Sequence, residues 1–171
     1  KNDWVFKHLR GKKGTKVEVS VIRGNNKKPI VFKITRDKIP LNSIDTWFMI
    51  DKEIGYIKLD RFAQQSNDEL VNALNELKKE GMIDLILDLR SNGGGYLKTA
   101  FEICDQFLSG NKLIVYTQGL KSAREELKAE KRGIFETGRL VIMVDEFSAS
   151  ASEILSGAVQ DWDRGVIVGR R

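Results

Sequence analysis

The stretch IDLILDLRSNGGGYLKTAFEIC, residues 83–104, decides the fold. Its first seven residues, Ile83 to Leu89, form an apolar run interrupted only by Asp84 and Asp88. A run this short, bounded by turn residues, reads as a buried strand. Three consecutive glycines, Gly93, Gly94 and Gly95, precede a helical pattern with Leu97, Ala100, Phe101, Cys104, Phe107 and Leu108 on one stripe. The same order recurs on both sides. Upstream, Ile54 to Asp60 reads as a strand and Asn67 to Glu80 as a helix with Leu70, Val71, Leu74 and Leu77 on one face. Downstream, Leu113 to Tyr116 is a short strand, Leu140 to Val144 another, Ser150 to Trp162 a helix, and Val166 to Val168 a final apolar run. Strands alternating with amphipathic helices predict an α/β layer built from strand-helix-strand crossovers. Residues 117–138 are polar and charge-rich and read as a loop or an exposed helical excursion.

The first 38 residues have a different texture. A short helix, Asp3 to Leu9, is followed by Gly11 and two strands, one carrying Val17, Val19 and Val21, the other running from Pro29 to Thr35. The turn between them, Arg23 to Lys28, has Gly/Asn hairpin chemistry. A helix and one hairpin bury too little to fold alone, so this piece reads as the end of something larger. It also holds 12 Lys/Arg against 3 Asp/Glu, and residues 39–171 hold 17 against 21, so the net charge of +5 comes from the first fifth of the chain. Such a basic piece can meet nucleic acid, anionic lipid or an acidic peptide, but no aromatic residues alternate with the charges as a stacking platform requires. The solvated face of a hairpin is the simpler reading.

The inventory of reactive side chains is short. One histidine, His8, and one cysteine, Cys104, exclude a Cys/His zinc site and an internal disulfide. A hydrolase built on this chain must use His8, an acid pair or a base other than histidine. No run of about 18 apolar residues is present to span a membrane.

Two strand-to-helix loops can carry chemistry. In the glycine loop, backbone N–H groups and a helix start can cradle a phosphate or hold an oxyanion. It lacks the Lys and Ser/Thr of a phosphate-binding P-loop and the spacing of a dinucleotide fingerprint, and a plain tight turn competes with either role. The second loop is DEFSASASE, residues 145–153. A serine at a helix start is where a nucleophile can be exposed beside backbone N–H groups. Ser150 and Glu153 also fit the S-x-x-E capping box, in which Ser150 merely caps a helix. Together the loops supply the parts of an acyl-transfer site. The missing part is the base, since His8 lies in the hairpin piece and reads as structural.

The segments DLRSNGGGYLKTAFEICDQFL and VIMVDEFSASASEILSGAVQDWDRGVIVG resemble the core of the carboxyl-terminal processing peptidases, the tail-specific Ser-Lys proteases of peptidase family S41. GYIKLDRFAQQSNDELVNALNELKKEG is similar to the start of that core, and LRGKKGTKVEVSVIRGNNKKPIVFKITRDKIP resembles the last helix and two strands of the preceding PDZ domain. The resemblance implies a ClpP/crotonase-like layered α/β core over residues 39–171, preceded by the C-terminal part of a PDZ domain over residues 1–38. It implies Ser150 as nucleophile, Gly94, Gly95 and the Ala151 N–H as the oxyanion hole, and Asp161, Glu153 and Arg61 in supporting roles. The general base it implies is a lysine about four residues after Arg171, so that both ends read as cut and the 171 residues alone as inactive. Lys98 and Lys121 do not match that position and read as solvated.

The substrates implied are polypeptides with apolar, unstructured C-termini, in the bacterial cell envelope or periplasm. No metal, organic cofactor or nucleic acid is implied, and a homo-oligomer is compatible. The competing reading is a non-catalytic peptide- or protein-binding module on a peptidase-like scaffold.

Overall fold

The computed structural model describes residues 2–24, 28–37, 41–130 and 132–170. Two compact units divide the chain, residues 1–41 and 42–171. The expected boundary at 38/39 and the centre of the Arg23–Lys28 turn lie outside the described residues.

In the first unit, helix α1 (Asn2–Leu9) precedes an antiparallel hairpin of β1 (Lys16–Val21) and β2 (Ile30–Thr35), in register from Lys16 opposite Thr35 to Val21 opposite Ile30. Arg36 ties helix to hairpin: its guanidinium donates to the carbonyls of Leu9 (2.7 Å) and His8 (3.1 Å) and to Thr15 Oγ1 (3.0 Å). Among the described residues of this unit none is fully buried, as expected of a piece too small for its own core. His8 donates from Nδ1 to the Trp4 carbonyl (2.7 Å) and stacks on the Trp4 ring.

The second unit is an α/β layer. Its elements are β3 (Thr46–Met49), β4 (Ile54–Lys58), α2 (Ser66–Lys79), β5 (Asp84–Asp88), α3 (Leu97–Cys104), β6 (Leu113–Gly119), β7 (Ser122–Lys128), β8 (Leu140–Val144), α4 (Ala151–Asp161) and β9 (Val166–Gly169). The main sheet has the order β3-β4-β5-β8-β9, antiparallel at β3 and parallel elsewhere. Alternation along the strands sends Ile57, Leu85, Leu87, Leu140 and Ile142 into one core with Leu70, Leu74 and Leu77 of α2, Ile103 and Cys104 of α3, and Leu155 and Val159 of α4. No described helix is long and apolar enough to cross a membrane.

Three expectations change. The described residues of 117–138 hold no helix: β6 and β7 form a hairpin with Tyr116 opposite Glu126 and Thr117 opposite Glu125. Its period of two is written in charge, because Glu126 pairs with both Arg124 and Lys128 at 2.7 Å and the Arg124 guanidinium lies 4.0 Å from the Tyr116 ring centroid. Strand β3 was not expected at all. Helix α3 ends at Cys104 while Phe107 and Leu108 are buried beyond it, and Leu97, expected on the buried stripe, is exposed.

Candidate active site

Strands β5 and β8 are parallel neighbours, so the loops that leave their C-terminal ends emerge side by side, where ligands bind in open α/β sheets. Hydrogen bonds stitch these loops together. Ser91 N–H donates to Asp145 Oδ1 (2.8 Å), Ser148 Oγ to the Leu89 carbonyl (2.8 Å), Ala149 N–H to the Asn92 carbonyl (3.1 Å), and Ser152 Oγ to that same carbonyl (2.9 Å). The bond from Ser91 N–H, with those from Phe147 N–H and Ser148 Oγ, holds the Asp145 carboxyl below its ordinary range against the opposing effect of partial burial.

Ser150 sits at the junction of this loop with α4 and is exposed. Its backbone is at φ 56° and ψ −110°. A residue that only caps a helix takes extended backbone angles, whereas a non-glycine at positive φ carries about 1–3 kcal/mol of strain. Ser150 and Glu153 also form the capping box that the sequence allows, the Glu153 carboxylate accepting the Ser150 N–H at 2.6 Å and holding this conformation from within the helix.

The glycine loop is pressed against this turn. Gly94 has φ 97°, and a Cβ placed on it would meet the Ala149 carbonyl, Ala151 N and Ser150 Cβ at 2.7–2.9 Å. Gly95, at φ 152°, would drive a Cβ into the Phe62 carbonyl, with which its segment makes a parallel bridge. Only glycine fits either position. Gly94 N–H donates to Asn92 Oδ1 at 2.9 Å. Among the described residues no acceptor meets the N–H of Gly95 or of Ala151.

The other residues singled out by sequence lie elsewhere. Asp161 is the last residue of α4, about 16 Å along the helix axis from Ser150 at about 1.5 Å per residue. Arg61 is exposed just before Phe62. Lys98 pairs with Glu102 across one turn of α3 (3.5 Å), and Lys121 is exposed at the tip of the β6–β7 hairpin. No described lysine hydrogen-bonds Ser150, and no described group of His, Cys, Asp and Glu gathers as a metal site. The Cys104 thiol is fully buried, which pushes its pKa up and leaves it inert.

Two features went unread in the sequence. One is Asn92, in the glycine loop. The other is a polar network around Asp88, which is 1% exposed at the end of β5. Asp88 accepts from Tyr56 Oη (2.7 Å) and from Arg90 Nε and a terminal guanidinium nitrogen (3.0 and 2.7 Å), with Lys58 Nζ at 3.5 Å. Burial alone would raise its pKa, but the bonds from Arg90 and Tyr56 and the Lys58 charge prevail and hold it at about 2. Burial and the Asp88 carboxylate push the Tyr56 phenol up to about 12. Beside Gly95, an open groove of 690 Å³ runs between the N-terminal ends of α2 and α3, lined by Gln64, Gln65, Asn67, Tyr96, Lys98 and Glu102.

This arrangement coincides with a family pattern. A model of peptidase family S41 matches residues 53–171, which contain both loops and the whole parallel part of the sheet. The chain belongs to peptidase family S41. Among its S41 relatives, a carboxyl-terminal-processing protease of Picosynechococcus sp. is 36% identical over 167 residues, 95% of this chain and 39% of that protein. The protein of the same name from Synechocystis sp. is 35% identical over 167 residues, 95% of this chain and 38% of that protein. The photosystem II D1 C-terminal processing protease, a solved structure, superposes with a TM-score of 0.69 over 94% of this chain and 45% of that one, at 27% identity. The chain thus spans about two fifths of the length of these S41 relatives, and the mixed α/β layer is the fold it shares with the solved one.

Proposed function

We propose that the whole protein is a serine endopeptidase that cuts polypeptides near their C-termini, with Ser150 as nucleophile and a lysine as its base. The observation that carries this reading is the Ser150 backbone, a strained conformation at a strand-to-helix turn that a simple cap does not need. It is the kind of sharp turn that presents a serine hydroxyl in other hydrolases. Family membership and the names of the relatives support the reaction class.

In the proposed reaction, Ser150 Oγ attacks the scissile carbonyl carbon as its proton passes to the base. The N–H groups of Gly95 and Ala151, which have no acceptor of their own, receive the developing oxyanion. Gly94 contributes by close approach, its N–H being held by Asn92. The base then protonates the leaving amine, and water hydrolyses the acyl-enzyme. The base is a lysine outside these 171 residues, about four positions past Arg171, with its pKa lowered by burial. Glu153 supports the turn, while Asp161 and Arg61 take no part in proton transfer. The substrates are polypeptides with apolar, unstructured C-terminal tails, extended along the groove beside Gly95. Residues 1–38 are the C-terminal part of a PDZ domain, consistent with their helix and hairpin, and the protein works in the cell envelope.

The test compares the full-length protein with its Ser150→Ala variant on an internally quenched peptide with an apolar C-terminal tail. Cleavage should fall by roughly 10³-fold or more, and a fluorophosphonate should label only the wild type. Equal rates would sink the reading and favour a peptide-binding module. The 171-residue piece should be inactive; full activity in it would overturn the external lysine.

A further inference from the structure

Asn92 is fully buried (0% exposed) at the point where three segments meet. Its Nδ2 donates to the Leu59 carbonyl just past β4 (2.8 Å), and its Oδ1 accepts the Gly94 N–H (2.9 Å). Its carbonyl accepts both Ala149 N–H (3.1 Å) and Ser152 Oγ (2.9 Å), from the Ser150 turn and the first turn of α4. Its own N–H closes back on the Leu89 carbonyl at the end of β5 (3.1 Å). One residue therefore bonds the β4 end, the glycine loop and both sides of Ser150.

We infer that Asn92 is a positioning residue for the reaction, setting the spacing between the glycine loop and the Ser150 turn. The inference rests on the reading of Ser150 as nucleophile. Gly94 packs on Ser150 at backbone contact, so there is no slack: whatever holds Gly94 also places the Gly95 and Ala151 amides relative to Ser150. Asparagine is the side chain that serves here because it offers an acceptor to Gly94 N–H and a donor to the Leu59 carbonyl from one planar group. Aspartate keeps the acceptor but sets a carboxylate oxygen against a carbonyl oxygen, and glutamine is one methylene too long for a fully packed site. Asn92 touches no reacting atom. It acts through amides whose misplacement is felt in the transition state and only weakly in substrate binding.

The test is run on the full-length protein with the same quenched peptide, measuring kcat, KM, Tm and the end-point of fluorophosphonate labelling. For Asn92→Asp, kcat per labelled site is expected to fall about 10²-fold, the order found for a donor displaced by an ångström or lost, with KM within about threefold of wild type. Ser152→Ala, which removes one bond to the Asn92 carbonyl, should lower kcat about threefold or more with KM unchanged. The inference is overturned if Asn92→Asp keeps its kcat per labelled site, because its loss is then only a loss of folded protein. Should Asn92→Asp not fold, Ser152→Ala decides, and an unchanged kcat there overturns it. If instead Ser150→Ala keeps wild-type activity, the nucleophile reading is what fails.

Discussion

The two faces of the main sheet are built from the same strands and have opposite characters. On one face Ile57, Leu85, Leu87 and Ile142 are 0–1% exposed under the three helices. On the other, alternate residues of those strands and their neighbours stay half-buried or open: Ile54, Tyr56, Ile86 and Val141 are half-buried, Val166 is 61% exposed and Val168 49%. Both buried carboxylates of β5 belong to this second face, Asp84 paired with Arg139 and Asp88 with Arg90. The covered face is stabilised by area removed from water, and the outer face by hydrogen bonds to charge. Strand alternation alone does not distinguish a core from a polar shelf; what packs above it does.

Four measurements break or sharpen that contrast. The largest effect is expected for Leu87→Ala on the covered face, about 2–5 kcal/mol in urea unfolding, since it leaves a cavity among α2, α3 and α4. A loss below about 1 kcal/mol would mean the helices close over the gap. Asp88→Asn should cost less, about 1–3 kcal/mol, because Arg90 keeps half its side chain in water when its partner charge is removed. The Asp88 pKa is lowered in the fold to about 2. Its contribution is therefore complete above the unfolded carboxyl value of roughly 4 and is lost as pH falls from there through about 2, on the order of 1–2 kcal/mol. Stability measured against pH should show this loss in the wild type and not in Asp88→Asn; identical profiles would show that the network does not hold the carboxylate down. The smallest effect belongs to Val168→Thr on the outer face, within about 0.5 kcal/mol. In the full-length protein, a loss several times larger would reveal that further chain covers this face.

The periodic parts of this fold were legible in the chain. Five strands and three helices of the second unit follow directly from runs such as Ile83 to Leu89 and the Leu70, Leu74, Leu77 stripe. The second strand of the hairpin, Ser122 to Lys128, was not, because its alternation is one of charge, in the sequence Arg124, Glu126, Lys128, and apolar periodicity does not register it. The Asp88 network was hidden for another reason: Tyr56 and Lys58 reach it from a neighbouring strand, about thirty residues away. Asp161, only eleven residues from Ser150, is carried away from it by the helix between them.

Ser150 and the glycines were visible as a pair of motifs, but their geometry was not. From its residues alone the chain determined an α/β layer, excluded a disulfide and a Cys/His zinc site, and left the two loops as the place for chemistry, because these follow from residue inventory and short-range periodicity. Only the tertiary structure decided that Ser150 is strained even as it forms the capping box with Glu153, that Gly94 gives its N–H to Asn92, and that Gly95 and Ala151 keep theirs. A backbone angle at a loop and the partner of an amide are set by segments such as Leu59, Phe62 and Asn92 converging from separate strands, and no local pattern encodes that convergence.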